Sequence, residues 1–125
     1  IHDSAHNSAG MLRKGYNETN NPSQTPGARH PLVIRDPQTN KKMLFLGRRP
    51  HAYIIGMEVS ESEKLLDEIW QHATQVKFIW TQKWKVGDLL MWKNLNVLHK
   101  RDAFDPSTRR VMHRTQLKGD IKIAI

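Results

Sequence analysis

The stretch that decides the fold reads Asn94-Leu-Asn-Val-Leu-His-Lys-Arg-Asp-Ala-Phe-Asp-Pro-Ser-Thr-Arg-Arg-Val-Met-His-Arg114. Its first histidine, His99, stands eleven residues before Arg110, which opens a pattern of alternating apolar residues. An imidazole is a natural ligand for a borderline metal such as iron or zinc. A guanidinium binds a carboxylate through two parallel hydrogen bonds. The pair therefore indicates a site that holds a metal beside a carboxylate-bearing molecule.

The alternation over 110–117 predicts a strand with two basic side chains on one face. Arg110 and Arg114 share that face with Met112 and Gln116, while His113 lies on the opposite face and is read as structural. Two guanidiniums that point into one barrel are costly unless anions meet them. The strand therefore predicts an acidic cosubstrate and an acidic substrate.

A second motif, Trp84-Lys-Val-Gly-Asp-Leu-Leu-Met-Trp-Lys-Asn94, precedes the histidine. Together, residues 84–120 resemble the C-terminal signature of the taurine/2,4-D dioxygenase (TauD/TfdA) family, whose members depend on Fe(II) and 2-oxoglutarate. The family pattern runs through Trp-Asp-Asn-Arg, a metal-binding His, Arg-Arg-x-Met-His-Arg and Gly-Asp. The resemblance extends upstream through His30-Pro31 and covers roughly residues 28–120.

The resemblance implies a role for each of three residues. His99 corresponds to the distal iron ligand, Arg110 to the clamp on the far carboxylate of 2-oxoglutarate, and Arg114 to an arginine that meets the substrate. The implied reaction couples decarboxylation of 2-oxoglutarate with O₂ to hydroxylation of a substrate carbon. Fe(II) and 2-oxoglutarate are the expected cofactor and cosubstrate, and a small, anionic organic molecule is the expected substrate.

Two departures from the family pattern stand out. Trp92-Lys93-Asn94-Leu95 replaces Trp-Asp-Asn-Arg, so an acid and a base are both exchanged. The family's iron is also held by a His-x-Asp/Glu pair, and none of the seven histidines in this chain is followed two positions later by Asp or Glu. Since the chain begins with Ile1, we expect a C-terminal piece of a longer enzyme, produced by processing or by a truncated gene, with an incomplete iron site.

The remaining patterns favour a mainly β fold with one or two helices. Strands are predicted over 32–34 and 43–46, joined by a turn at Asp36–Asn40 in which Asn40 takes the left-handed conformation. A helix is predicted over 60–75, opened by a capping box of Ser60 and Glu63. Further strands are predicted over 78–84, 89–92 and 110–117.

These elements predict the C-terminal half of a double-stranded β-helix, a cupin-like jelly roll, which is also the fold that the resemblance implies. Residues 1–28 are polar and read as a poorly ordered segment, and residues 29–125 as part of a single dioxygenase domain. Half a jelly roll has unpaired edges. A homo-oligomer or a complementing N-terminal half is therefore expected.

Composition bounds the remaining choices. The absence of Cys excludes disulfides and thiolate metal sites. The net charge of +8 is spread along the chain without aromatic interleaving, so a solvated surface is favoured over a nucleic-acid face. A cytoplasmic protein with no membrane or nucleic-acid partner is expected. The alternative is a non-catalytic jelly-roll module whose basic surface binds acidic ligands or nucleic acid.

Overall fold

Four short strands and one α-helix form the regular structure in a computed structural model that describes residues 1–7, 10–47 and 50–119. The elements are β1 (His2–Asp3), β2 (Gly27–Ala28), β3 (Val33–Arg35), β4 (Lys42–Leu44) and α1 (Val59–Ala73). Single 3₁₀ turns occupy Pro22–Gln24 and Val76–Phe78. This set of secondary-structure elements agrees with a β-rich fold that carries one helix. None of the helices in these ranges could cross a bilayer.

The β3–β4 hairpin matches the predicted strand–turn–strand unit. The strands are antiparallel, with Ile34 opposite Met43, and Ile34 is buried. Asn40 adopts a φ of 56°, the left-handed conformation that its short polar side chain tolerates. The Asp36 carboxylate accepts hydrogen bonds from the backbone N–H groups of Gln38 (2.8 Å) and Thr39 (3.1 Å). The predicted turn chemistry is therefore confirmed.

The N-terminal segment contributes the second small sheet. β1 pairs antiparallel with β2, and Gly27 lies where a Cβ atom would collide with the His2 carbonyl. Farther along, Ala5 and His6 are buried, and the His6 ring stacks on His51 with centroids 4.2 Å apart. Residues 1–7 and 10–28 thus contribute strand pairing and burial, whereas their separation from a domain starting at residue 29 stays a prediction.

Helix α1 forms where the apolar periodicity places it, but it begins differently. The predicted capping box is wrong: the N-cap residue is Glu58, no side chain caps the first turn, and Ser60 lies inside the helix. Ser62 is instead fully buried, and its Oγ accepts a hydrogen bond from the Ile54 N–H at 2.9 Å. Ser62 therefore joins the helix to the preceding loop. Leu66, one turn later, is buried and lines the same cavity as Ile54.

The strands predicted over 78–84, 89–92 and 110–117 are not present. After the 3₁₀ turn that ends at Phe78, residues 79–119 form no helix or strand, and most of their side chains are exposed. Leu89 and Leu117 are 89% and 86% exposed. A strand needs a neighbouring strand to pair its backbone groups, and residues 79–119 meet none within the part of the chain that the structure describes. The jelly-roll half consequently stays a proposal.

Candidate functional site

His99 lies in the irregular segment and is exposed to solvent. Its ring is in contact with Trp92, with centroids 5.6 Å apart and planes inclined by 58°. The neighbouring Lys100 forms an ion pair with Asp102 at 3.5 Å, and both of these side chains are more than 80% exposed. His99 is therefore accessible to a metal ion, and the indole of Trp92 is what borders its ring.

The two predicted anion-binding arginines are also solvent-facing. The Arg110 guanidinium lies 5.4 Å from the centroid of the Phe104 ring, and Arg101 approaches the same ring at 5.1 Å. These cation–π contacts are modest at an exposed position. Arg114 donates from Nη2 to Gln116 Oε1 at 3.4 Å. Both guanidiniums thus retain free N–H donors for a carboxylate or a sulfonate.

The three predicted site residues are not brought together. Within residues 1–7, 10–47 and 50–119, no hydrogen bond, ion pair or ring contact joins His99, Arg110 and Arg114 to one another. The same ranges contain no cluster of three His, Cys, Asp or Glu side chains that could hold a metal. A facial triad needs two histidines and one carboxylate. The described residues alone do not fit that iron site.

A polar cluster links the hairpin turn to the segment that precedes His99. Lys93 Nζ donates to Asp36 Oδ2 at 2.6 Å and to Gln38 Oε1 at 2.9 Å, and Asn96 Nδ2 donates to Asp36 Oδ2 at 3.3 Å. The Asp36 side chain is 5% exposed and that of Lys93 40%. The Lys93 ammonium, followed by the Gln38 N–H, holds the pKa of the Asp36 carboxyl well below its usual range.

Sequence reasoning did not identify Asp36, Lys93 and Asn96 as a group. One signal was present, since Lys93 stands where the family pattern has an acid. A lysine in place of an acid can pair with a carboxylate elsewhere in the chain. Asp36, however, was recognisable only as a turn residue, because nothing in the sequence places it near residue 93.

A cavity of about 200 Å³ lies between α1 and the N-terminal strand. Its lining is mainly apolar and includes Leu66 and Trp70, together with His2 and His30. Among the residues that the structure describes, neither His30 Nδ1 nor Trp70 Nε1 has a hydrogen-bond partner. None of the predicted site residues lines this cavity.

Comparison with known proteins identifies the family of this chain. The model of the taurine catabolism dioxygenase TauD, TfdA family matches residues 3–116. The chain belongs to this family. The match includes the hairpin, the helix and all three predicted site residues, and it extends the resemblance found over residues 28–120 to the N-terminal strand. The family identification from the sequence is therefore confirmed.

Curated relatives point to the same chemistry. The chain is 39% identical over 94 residues to an alpha-ketoglutarate-dependent 2,4-dichlorophenoxyacetate dioxygenase of Burkholderia, covering 75% of this chain and 31% of that protein. It is 38% identical over 90 residues to an (S)-phenoxypropionate/alpha-ketoglutarate-dioxygenase of Sphingobium herbicidovorans, covering 72% and 31%. A pentalenolactone F synthase of Streptomyces arenae is 33% identical over 85 residues, covering 68% and 28%.

The chain spans about a third of the length of these relatives. Two of the three are named as alpha-ketoglutarate-dependent dioxygenases, which does not favour the alternative of a non-catalytic binding module. No solved structure matches the chain.

Proposed function

We propose that this chain carries the distal part of the active site of an Fe(II)- and 2-oxoglutarate-dependent dioxygenase that hydroxylates a small, anionic organic molecule. The observation that carries the proposal is the family match over residues 3–116, which includes His99, Arg110 and Arg114. The relatives named after 2,4-dichlorophenoxyacetate and (S)-phenoxypropionate support a carboxylate-bearing substrate. Iron, once held by a complete ligand set, supplies the O₂ chemistry.

Each proposed residue has a role that its own chemistry supports. His99 provides a neutral imidazole as one iron ligand. Arg110 binds the far carboxylate of 2-oxoglutarate through its planar fork, which lysine does not reproduce. Arg114 meets the acidic group of the substrate. The net charge of +8 favours the approach of both anions.

The missing iron ligands and the missing strands share one explanation under this proposal. The chain spans about a third of its relatives' length, and residues 79–119 expose apolar side chains such as Leu89 and Leu117. We infer that these residues pair with strands from a polypeptide equivalent to the remaining part of the relatives. That polypeptide would also supply a histidine and a carboxylate to the iron.

The test is a complementation experiment. The remainder of the Burkholderia relative, about two thirds of its length, is joined to residues 1–125. Because this chain is expected to be the C-terminal piece, the remainder is fused ahead of it. The chimera and the 125-residue chain are each titrated anaerobically with Fe(II) and 2-oxoglutarate, while the visible metal-to-ligand charge-transfer absorption is recorded. We expect the chimera to develop the band, and the chain alone not to develop it, because one imidazole gives little affinity for iron.

Three substitutions test the assigned roles. Arg110→Ala should abolish the 2-oxoglutarate-dependent band, whereas the adjacent Arg109→Ala should leave it intact, because neighbouring side chains of an extended segment point in opposite directions. His99→Ala should abolish iron binding. A folded chimera that shows no band, or a band that is insensitive to Arg110 and His99, would contradict the proposed function.

A further inference from the structure

Asp36 uses its two carboxylate oxygens for different purposes. Oδ1 accepts the N–H groups of Gln38 and Thr39 and so shapes the hairpin turn. Oδ2 accepts Lys93 Nζ and Asn96 Nδ2, which lie 57 and 60 residues farther along the chain. One buried carboxylate therefore fixes a turn and also binds a distant segment.

The segment bound by Asp36 leads directly to His99. The Asn96 N–H donates to the Lys93 carbonyl at 3.0 Å, which closes a turn at the point of attachment. Trp92, next to Lys93, contacts the His99 ring with centroids 5.6 Å apart. The path from the hairpin to the imidazole thus runs through hydrogen bonds, one closed turn and one ring contact.

The contact between Asp36 and Lys93 pairs a carboxylate with an ammonium group. Lys93 stands where the family pattern has an acid, and an acid at that position would lie against the buried Asp36 carboxylate. Lysine reverses the charge and satisfies the carboxylate at 2.6 Å. A buried carboxylate without a cation or sufficient donors is costly, so the buried Asp36 is stabilised by the partly exposed Lys93.

We propose that Asp36 and Lys93 are positioning residues for His99: the pair anchors residues 92–99 on the β3–β4 hairpin and thereby sets where the imidazole is presented. The proposal rests on the proposed role of His99 as an iron ligand and adds the residues that orient it. Neither residue touches the His99 ring, which contacts Trp92, so the pair acts on His99 through Trp92 and through the backbone of residues 93–99.

The first measurement uses the 125-residue chain and needs no metal. Because the chain has no Cys, spin labels at Lys42→Cys and Leu98→Cys report a single distance between the hairpin and the residue next to His99. We expect a narrow distance distribution that broadens in Lys93→Met and in Asp36→Asn. Asp36→Asn retains an oxygen for the turn, so it removes the charge without removing the hairpin.

Two matched variants separate positioning from general loss of structure. Lys93→Arg keeps the cation and should restore the narrow distribution. Lys100→Met removes an exposed lysine whose partner is the exposed Asp102, and it should leave the distribution unchanged. An unchanged distribution in Lys93→Met would overturn the proposal.

The second measurement is the Fe(II) dissociation constant of the chimera that joins the unmatched portion of the Burkholderia relative to residues 1–125. We expect Lys93→Met to raise this dissociation constant, Lys93→Arg to leave it close to that of the parent, and Lys100→Met to have no effect. A broadened distance with unchanged Fe(II) affinity would overturn the positioning role while leaving the proposed function standing. A folded parent chimera that binds no Fe(II) would overturn the proposed function and, with it, this one.

Discussion

The Oγ atom of Ser62 lies 2.9 Å from the backbone nitrogen of Ile54 and accepts its hydrogen bond from within α1. Ser62 is fully buried, so water cannot replace it. Ser62→Ala should therefore leave the Ile54 N–H without a partner and lower the free energy of unfolding by about 1–2 kcal/mol. Urea unfolding monitored by the far-ultraviolet circular dichroism of the helix measures this loss.

The matched control is Ser60→Ala on the exposed side of the same helix. If Ser60 capped the helix, its removal would cost about 1 kcal/mol. The structure places the cap at Glu58 instead, so we expect a change within about 0.5 kcal/mol. A larger loss from Ser60→Ala than from Ser62→Ala would contradict this assignment.

Asn40 supplies a test of the hairpin turn. Its φ of 56° is strained for residues that carry a Cβ atom without a compensating local hydrogen bond. Asn40→Ala should lower the free energy of unfolding by roughly 1–2 kcal/mol, whereas Asn40→Gly should leave it within about 0.5 kcal/mol. Equal stabilities of the two variants, measured by chemical denaturation, would show that the turn does not need a left-handed residue.

Local rules predicted the elements that form through local interactions. Asp36 and Asn40 define the hairpin because a short carboxylate and a left-handed residue close a turn whatever surrounds them. Helix α1 forms because apolar residues recur at its spacing. The start of the helix was missed because Ser60 and Ser62 are chemically alike, and only burial shows that the second one has a partner.

Long-range relationships were not predictable in the same way. β1 and β2 span two residues each, which is too short for any periodicity to show. The strand patterns over 78–117 describe what the residues would do beside partner strands, and residues 79–119 meet none among the described ranges. For the site, the types of His99, Arg110 and Arg114 indicated their chemistry, but the contact of Asp36 with Lys93 depends on three-dimensional folding.

His2 gives the fold a dependence on pH. Burial, the nearby His30 and the N-terminal ammonium lower the pKa of the His2 imidazole, and its hydrogen bond to the Phe45 carbonyl opposes this only in part. The unfolded chain then binds a proton more readily than the folded chain. Stability is therefore fully present above the unfolded pKa of about 6.5 and is lost as the pH falls through the lower, folded value.

The measurement is the thermal midpoint of the 125-residue chain between about pH 7.5 and pH 5. We expect it to fall as the solution is acidified below about pH 6.5. His2→Gln retains a side-chain donor for the Phe45 carbonyl but cannot titrate, so its midpoint should fall less over the same interval. His113→Gln alters an exposed histidine and should behave like the parent chain. A midpoint that rises on acidification would contradict the lowered pKa of His2.

Arg114 is expected to affect substrate binding without affecting the cosubstrate. A charge-assisted hydrogen bond contributes about 1.5–3 kcal/mol, so Arg114→Gln in the chimera should lower kcat/KM for 2,4-dichlorophenoxyacetate roughly 10- to 100-fold. The 2-oxoglutarate charge-transfer band should persist, because that anion is assigned to Arg110. Lys118→Gln, an exposed charge removal nearby, should change neither quantity. The acid and its neutral methyl ester are compared as substrates: equal losses for both would show that Arg114 does not recognise the negative charge.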